Sequence, residues 1–272
     1  MTALKPPLLS IMKDIVNLLR YGWRLRRVWM FTASARTSAR FARTIIGGFW
    51  LGISNLFSIA VLAIVYGTVF RVSDFRSYVV YLGLGLVIWN SMAAAITSAP
   101  SLLEQNAVHI KNSNLNPIFY ALEEWAFQLQ TFFQSFLLVV ACLGFFQPSL
   151  LLHALTSMWL PLLNLLIFLF WAPLIVCLLG TRFRDLYQLI PIALQLIFLL
   201  SPILYKKESL GALAWAADFN PMYRVLSPLR HSLLQGQVPW GQVVVMALLN
   251  VVGVVFGCWL LNKERRNLPF LV

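Results

Sequence analysis

The sequence has 272 residues, of which 60% are hydrophobic and only 11% are charged, and its formal net charge is +12. A water-soluble globular protein of this length needs more polar surface, so the composition excludes that class and indicates a polytopic membrane protein. An excess of lysine and arginine also occurs in nucleic-acid-binding proteins, but here these residues flank apolar runs, and we expect no nucleic-acid partner.

The chain opens with an amphipathic segment over residues 8–30. As a helix it places apolar residues on one side and charged residues on the other, and it carries too many charges to span a membrane. We expect it to lie along the cytoplasmic leaflet, where each Lys or Arg contributes on the order of 1 kcal/mol of attraction to anionic lipid. Docking of a cytoplasmic partner is a compatible alternative. With the basic elbow that follows, it forms the predicted interface arm, residues 1–43.

The rest of the chain, residues 44–272, is the predicted transmembrane domain. An uncharged run of about 18 residues or more can cross roughly 30 Å of hydrocarbon as a helix. Several such runs are present, and one of them is long enough for two spans. The predicted fold class is therefore all-α integral membrane with six transmembrane helices, at about residues 45–70, 78–98, 117–146, 155–179, 186–205 and 243–261.

The distribution of basic residues predicts the orientation. If both termini are cytoplasmic, most of the 21 lysines and arginines lie on the cytoplasmic side. This asymmetry follows the positive-inside rule, so we expect a multi-pass protein with both termini in the cytoplasm. The other side then holds Arg71, Arg76, Lys206, Lys207, Arg224 and Arg230.

The loop between the second and third spans has the pattern of a short helix. Ser101 and Glu104 have the S-x-x-E spacing of a capping box, so a helix is expected from Leu102 to about Lys111. One interpretation is a solvated connector. The alternative is that its apolar side is buried against membrane helices or a partner, while its polar side faces that partner with Glu104, Gln105, His109 and Lys111.

Two spans carry side chains that allow a structural or a functional interpretation. Trp50 and Phe57 in the first span belong either to the interfacial aromatic belt or to a channel in which sugars stack on aromatic faces. The third span carries a polar stripe at helical spacing, which is either structural or part of a polar path: Glu124, Gln128, Thr131 and Ser135.

Residues 206–236, before the sixth span, contain two amphipathic segments hinged at Asn220 and Pro221. At 1.5 Å per residue these segments reach only about 14 and 21 Å, so neither can span the membrane. We expect a re-entrant helical hairpin on the periplasmic side, embedded in the outer leaflet, with Arg224 and Arg230 kept near water or headgroups.

Patterns that would indicate an enzyme are missing from the sequence. It shows no carboxylates placed as a catalytic acid and base, no HExxH or HxxxH spacing of metal ligands, and no G-x-x-x-x-G-K-[ST] loop for nucleotide phosphates. The predicted spans are uncharged at their centres, which removes the usual groups of ion-coupled carriers. We therefore expect no catalytic residue, metal site or cofactor in this chain, and a transporter whose energy comes from a separate cytoplasmic subunit.

Several short motifs occur in a fixed order in the second half of the chain. They are Arg182-Phe183-Arg184-Asp185-Leu186 before the fifth span, Ser201-Pro202-Ile203 at its end, and Asn220-Pro221 before the sixth. With the amphipathic N-terminal helix, the six spans and the short helix after the second span, this order resembles the membrane subunit of bacterial polysaccharide ABC exporters. That family exports O-antigen, capsule and teichoic acid chains and belongs to the type-2 ABC exporter superfamily. The resemblance covers nearly the whole chain.

The resemblance implies a homodimer in the bacterial inner membrane that binds two copies of a separate nucleotide-binding ATPase, where ATP and magnesium are held. It implies export of a lipid-linked glycan to the periplasm, in lipopolysaccharide or capsule biosynthesis. The short helix after the second span would couple the chain to the ATPase, and its coupling residues would be Ser101, Glu104, Gln105, His109 and Lys111. The channel lining, on spans one and five, would include Trp50, Phe57, Gln188, Gln195 and Phe198. The periplasmic gate would contain Asn220, Pro221, Tyr223 and Arg224.

A basic cytoplasmic rim suits the pyrophosphate of an undecaprenyl-linked polysaccharide. The arginines expected where this group enters are Arg20, Arg24, Arg27, Arg40 and Arg43. Two alternatives stay open. One is a type-2 ABC exporter of a small hydrophobic drug or lipid, which shares the fold, and the other is a non-transporting membrane scaffold or an integral-membrane transferase. The sequence also leaves open whether the glycan is O-antigen, capsule or teichoic acid.

Overall fold

The computed structural model describes residues 8–112, 115–265 and 267–271, and all regular elements among them are helical. Five of the helices are long and apolar enough to cross a membrane. The predicted all-α membrane architecture is confirmed at this level. Residues 1–7 of the predicted interface arm and Arg266 near the C-terminus lie outside the described residues.

The N-terminal arm consists of two helices, α1 (Leu8–Arg24) and α2 (Arg26–Arg40), with a break at Leu25. The single amphipathic helix expected from the sequence is therefore divided. Across the break, the indole nitrogen of Trp29 donates a hydrogen bond to the carbonyl oxygen of Gly22 (2.9 Å). This bond fixes how the two helices follow one another.

The first two long helices are α3 (Trp50–Val69) and α4 (Phe75–Ser98), and they pack side by side. α4 is largely buried within the bundle, whereas α3 leaves most of its surface exposed. Asp74 is the N-cap of α4, because its carboxylate accepts hydrogen bonds from the amide (3.2 Å) and hydroxyl (2.6 Å) of Ser77. These bonds lower the pKa of Asp74, so the cap is ionised at neutral pH.

The loop after α4 differs from its prediction. A 3₁₀ turn continues α4 directly into α5 (Leu102–Gln105), and α6 (Ala107–Asn112) follows after a break at Asn106. The predicted capping box is wrong, because the hydroxyl of Ser101 donates to the carbonyl oxygen of Ser98 (3.1 Å) and its side chain caps no amide. The preceding helical turn already supplies carbonyl acceptors, so the amides of α5 need no side-chain cap.

The third long helix, α7 (Ile118–Leu143), begins where the sequence predicts. The side chain of Asn116 accepts a hydrogen bond from the amide of Ile118 (3.2 Å), as an N-cap residue does. A short helix, α8 (Ser149–Thr156), precedes the fourth long helix, α9 (Trp159–Gly180). The fourth span therefore begins a few residues later than predicted, because a break separates α8 from α9.

The next helix, α10 (Leu186–Leu200), is shorter than the fifth span predicted over residues 186–205. Ser201 adopts an extended backbone with ψ of 132°, because Pro202 follows and excludes the helical conformation of the residue before it. Fifteen residues reach about 22 Å, which is less than the roughly 30 Å of hydrocarbon. α10 is not one of the five helices that are long enough to cross alone.

The predicted hairpin, residues 206–236, contains a 3₁₀ stretch followed by α11 (Ala214–Phe219) and α12 (Pro221–Gln235). The hinge between the two helices falls at Asn220, as predicted. α12 packs against α4, α8 and α9 and is largely buried. It therefore belongs to the helical bundle and does not lie on its surface. It ends at Gly236, whose left-handed backbone (φ of 72°) suits glycine.

The fifth long helix, α13 (Trp240–Glu264), packs along α9, and α14 (Leu268–Leu271) is the last helix described. Inside this contact the side-chain amide of Asn250 donates to the side-chain oxygen of Asn164 (3.0 Å). The indole of Trp171 donates to the side-chain oxygen of Asn250 (2.8 Å). Such bonds hold membrane helices together where lipid is as apolar as the side chains.

The bundle has two distinct ends. The basic end carries α1, α2, α5 and α6, together with Arg182, whose guanidinium lies 3.8 Å from the carboxylate of Glu264 at the end of α13. The opposite end carries α8 and α12, which are joined by a hydrogen bond between the Nδ1 atom of His153 and the carbonyl oxygen of Leu233 (2.9 Å).

Replacing Gly253 by alanine tests the contact between α9 and α13. A Cβ atom at Gly253 would overlap the Trp171 ring, so the indole must move away from Asn250. Overpacking of this kind costs about 1–3 kcal/mol, and we expect a lower midpoint of thermal unfolding in detergent. Gly241→Ala on the same helix is the control, because a Cβ atom there meets nothing within 4 Å. Equal midpoints for the two variants would show that the contact is not tight.

Candidate functional site

The five residues predicted to line a channel lie on α3 and α10, and both helices pack against α4. Phe198 is half-buried, and its ring centre lies 5.5 Å from that of Trp89 on α4. The other four are exposed on outward faces of the chain: Trp50, Phe57, Gln188 and Gln195. The structure therefore leaves the predicted lining open to lipid or to another chain.

The predicted coupling residues lie on α5 and α6 at the basic end, where Ser101 is half-buried. The four other polar side chains are exposed: Glu104, Gln105, His109 and Lys111. The other side of the loop packs into the bundle through three buried apolar residues, Leu102, Leu103 and Ile110. This arrangement agrees with the second interpretation of the loop, a helix with one buried side, and not with a solvated connector.

A hydrogen bond joins this loop to α10. The hydroxyl of Tyr187, in the first turn of α10, donates to the carboxylate of Glu104 over 2.6 Å. This bond is a direct contact between α5 and the start of α10. Sequence reasoning missed this pair, because the two residues are 83 positions apart and no local pattern relates them.

At the other end of α10, residues Ser201–Tyr205, which we call the turn segment, are mostly buried but not helical. Side chains of α4 bond to their carbonyl groups. The hydroxyl of Tyr78 donates to the carbonyl oxygen of Leu204 (2.8 Å), and that of Tyr81 lies 3.1 Å from the carbonyl oxygen of Pro202. Buried backbone groups without partners are costly, so these tyrosines stabilise the end of α10.

Arg230 of α12 also supports the turn segment. Its guanidinium donates to the carbonyl oxygen of Pro202 (3.0 Å) and lies 3.8 Å from the centre of the Tyr81 ring. Only 4% of the residue is exposed, so the expectation that it stays near water is wrong. The reason is that a non-helical buried segment needs donors, which a guanidinium supplies in number. Burial lowers the pKa of Arg230, but an arginine starts high enough to stay charged.

Asn220, one of the predicted gate residues, bonds both to α12 and to the turn segment. Its side-chain oxygen caps α12 by accepting a hydrogen bond from the amide of Met222 (3.0 Å). Its side-chain nitrogen donates to the hydroxyl of Ser201 (2.6 Å). One asparagine therefore joins the start of α12 to the end of α10.

The other predicted gate residues differ in burial. Pro221 is exposed, Tyr223 is buried, and Arg224 is half-buried with its guanidinium donating to the carbonyl oxygen of Asp218. A cavity of about 1170 Å³ opens beside them at the opposite end of the bundle. Its walls combine aromatic and charged side chains, among them Tyr78, Tyr205, Tyr223, Lys206, Lys207 and Glu208.

A second cavity, which we call the polar cleft, lies between α2, α3, α4 and α7 and has a volume of about 720 Å³. One wall is the predicted polar stripe of α7, and all four of its residues are buried. On the facing wall, the side-chain amide of Asn55 donates to the hydroxyl of Ser135 (2.6 Å), and that of Asn90 donates to the side-chain oxygen of Asn55 (2.8 Å). The stripe lines a cavity, which favours the interpretation as a polar path.

An ion pair borders the polar cleft at the basic end. Glu124 is 4% exposed and accepts hydrogen bonds from the guanidinium of Arg36 (2.6 Å) and the side-chain amide of Gln128 (2.7 Å). The guanidinium carbons of Arg36 and Arg40 lie 4.2 and 5.7 Å from the centre of the Phe127 ring. A buried carboxylate needs a partner of this kind, so Arg36 compensates Glu124.

Of the five arginines expected to meet a pyrophosphate, Arg40 borders the polar cleft. Sequence reasoning missed Arg36, Asn55 and Asn90 as residues of this cleft. A signal for the two amides was present, because each is a strongly polar residue within an apolar span, where such groups are unfavourable unless bonded or functional. All five arginines are exposed: Arg20, Arg24, Arg27, Arg40 and Arg43.

Five helices that are long and apolar enough to cross a membrane, with open polar clefts beside some of them, indicate a multi-pass membrane protein, the class to which transporters belong. Among the described residues, no group of His, Cys, Asp and Glu is arranged to hold a metal ion. The structure thus offers internal polar space between apolar helices, without an evident metal centre in the part of the chain it describes.

The family model described as ABC-2 type transporter matches residues 35–234. Because this match covers most of the chain, the chain belongs to the ABC-2 type transporter family, as a type-2 ABC exporter permease subunit. It is also similar to two Klebsiella pneumoniae proteins, each named O-antigen export system permease protein RfbA. The identity is 22% over 230 and 232 residues, which is 83% of this chain and 87% of each relative. The resemblance seen in the motif order is confirmed.

We expect Tyr81→Phe to destabilise the protein by about 1–2 kcal/mol, because it removes a donor from buried carbonyl groups of the turn segment. The midpoint of thermal unfolding in detergent measures this effect. Tyr66→Phe is the matched control, since its ring stacks on Phe70 near the same end of the bundle. If both variants unfold at the wild-type midpoint, Tyr81 does not support the turn segment.

Proposed function

We propose that this chain is the transmembrane subunit of an ATP-driven exporter that moves a lipid-linked polysaccharide of the O-antigen or capsule class from the cytoplasm to the periplasm. The similarity to two O-antigen export permeases, which extends over 83% of the chain, is the observation that carries this proposal. The two cavities support it, because hydrogen-bonding walls suit a sugar chain better than an apolar drug.

In this proposal the basic end faces the cytoplasm of the bacterial inner membrane, following the positive-inside rule, and both termini lie there. α10 and the turn segment together make a sixth crossing. Tyr187 bonds to Glu104 at the basic end, and Leu204 bonds to Tyr78 near the start of α4. Tyr78 lies about 30 Å along α4 from its end at Ser98, so these two bonds support a crossing of roughly 30 Å of hydrocarbon by α10 and the turn segment together.

Membership of the ABC-2 family implies an ATPase partner. We infer a homodimer of this chain with two copies of that ATPase, which bind ATP and magnesium. The exposed polar side of α5 and α6 is the proposed contact surface. When ATP draws the two ATPase copies together, they displace α5, and the bond between Glu104 and Tyr187 passes the movement to α10.

The exposed faces of α3 and α10 form the proposed channel between two copies of the chain. Aromatic faces of Trp50 and Phe57 allow sugars to slide by stacking, and Gln188 and Gln195 offer amides without a deep binding site. The helices around Asn220 form the proposed periplasmic gate. The exposed arginines of the basic end attract the pyrophosphate of the lipid as it enters.

Transport into inside-out membrane vesicles tests the substrate class. Vesicles that contain the chain and its ATPase receive a radiolabelled undecaprenyl diphosphate oligosaccharide, and protection of the label from an added glycosidase is measured. We expect protection with ATP and none with an ATPase whose phosphate-binding lysine is replaced. ATP-dependent uptake of a hydrophobic dye without protection of the glycan would instead indicate a small-molecule exporter. If no ATPase copurifies with the chain, the chain would instead be a scaffold or a transferase.

We expect Tyr187→Phe to lower glycan transport per ATP hydrolysed about fivefold, the effect of losing roughly 1 kcal/mol of coupling through the bond to Glu104. Transport and phosphate release are measured in the same vesicles. Thr156→Val is the control, since that exposed hydroxyl bonds only within α8 at the opposite end. An unchanged ratio for Tyr187→Phe would contradict this route.

A combined alanine variant tests the contact surface itself. The four exposed residues are replaced together, and because they are exposed we expect normal folding but loss of both ATPase stimulation and export. The residues are Glu104, Gln105, His109 and Lys111. If ATPase coupling and export are both intact, α5 and α6 are not the coupling element.

A further inference from the structure

The polar residues that line the polar cleft lie outside the proposed channel between two copies of the chain, so that channel does not explain them. The four stripe residues of α7 are only 3–9% exposed, yet they line a cavity of about 720 Å³. This volume is within the range of about 300–1,000 Å³ that is typical of small-molecule pockets. The cleft is thus large enough to hold a ligand.

The polar groups of the cleft extend into the apolar layer. Asn55 lies about 8 Å along α3 from its first residue, and Asn90 lies about 12 Å before the end of α4. Both helices have their basic ends at those points, so the two amides meet well inside the helical bundle. Amides at such depth are unfavourable in hydrocarbon unless they are bonded or functional; these two bond to each other, and Asn90 is in addition exposed beside the cleft.

The charge at the mouth of the cleft indicates an anionic group on the ligand. Arg36 is compensated by Glu124, whereas Arg40 forms no ion pair with any described residue. The cleft therefore carries one uncompensated guanidinium beside otherwise neutral donors and acceptors. A guanidinium offers a planar set of donors that matches phosphate oxygens.

We propose that the polar cleft binds the first sugar units of the lipid-linked glycan, next to its diphosphate, which Arg40 holds at the mouth. This inference rests on the proposed function and adds a binding site within each copy of the chain. Sugar hydroxyls both donate and accept hydrogen bonds, so they suit a cleft lined by the amides of Asn55 and Asn90 and the hydroxyl of Thr131. These groups already bond within the protein, but Asn90 is exposed beside the cleft and can also bond to a sugar, whereas the apolar chains of a phospholipid offer it no partner.

Binding to the full chain with its ATPase in lipid nanodiscs, without ATP, tests the site. The probes are a polyprenyl diphosphate that carries one N-acetylhexosamine and the same polyprenyl diphosphate without sugar, and phosphatidylglycerol serves as competitor. Replacing both bonded amides, Asn55→Leu with Asn90→Leu, should weaken binding of the sugar-bearing probe about tenfold and leave the sugar-free probe unchanged. Arg40→Gln should weaken both diphosphates about tenfold.

A matched pair of threonines controls for changes in the helices. The hydroxyls of Thr131 and Thr68 both donate to carbonyl groups of their own helices, but of the two only Thr131 lines the cleft. Thr131→Val should weaken binding of the sugar-bearing probe about threefold. Thr68→Val, at the far end of α3, should leave that binding unchanged.

Two results overturn the proposal. If the double amide variant binds the sugar-bearing probe as the wild type does, the sugar lies elsewhere. If phosphatidylglycerol displaces that probe as effectively as the sugar-free diphosphate does, the cleft is a general headgroup site. If the wild type exports glycan in vesicles, either result rejects only the proposed binding site in the cleft and leaves the proposed function standing. A wild type that neither binds the probe nor exports glycan rejects the proposed function and the cleft together.

Discussion

The structure depends on one constraint, which is that backbone groups within an apolar layer must be bonded by protein. Five long helices meet it through their own hydrogen bonds. The turn segment does not, because Pro202 ends α10 after fifteen residues. Its carbonyl groups are instead bonded by tyrosines of α4 and by Arg230 of α12. Two helices that are distant from each other in sequence, α4 and α12, are thereby bonded to the short non-helical stretch that ends α10, and the proposed gate is built around it.

Polar side chains inside the bundle must also be bonded, and they occur in two different settings. Between α9 and α13, Asn164 and Asn250 are 6% and 1% exposed and bond to each other, so they act as structural contacts. In the polar cleft, Asn90 is exposed to the cavity although it sits in the middle of a buried helix. Asn55 and Asn90 bond to each other as well, so the two pairs differ in exposure and not in bonding: full burial indicates packing, whereas exposure beside a cavity leaves an amide accessible to a ligand. This difference separates structural amides from candidate binding amides.

Local sequence signals predicted several features correctly and failed where distant partners intervened. The start of α7 near residue 117 and the hinge at Asn220 were predicted, because both depend on neighbouring residues: a side chain that bonds to an amide two residues away needs no tertiary context. The capping box at Ser101 failed, since a preceding helical turn already supplied the acceptors. The end of α10 was marked by Pro202, but the uncharged run continued beyond it and suggested a longer helix.

The sequence by itself determined that this is a helical membrane protein and roughly where its five long helices lie, because composition and neighbours within a few residues govern those properties. Its motif order also indicated the exporter family. Only the tertiary structure decided that Arg230 is buried, that Glu104 contacts Tyr187 and that residues of four helices line one polar cleft. Those features join residues that are tens of positions apart, and their bonding follows from how the helices pack, which no local pattern specifies.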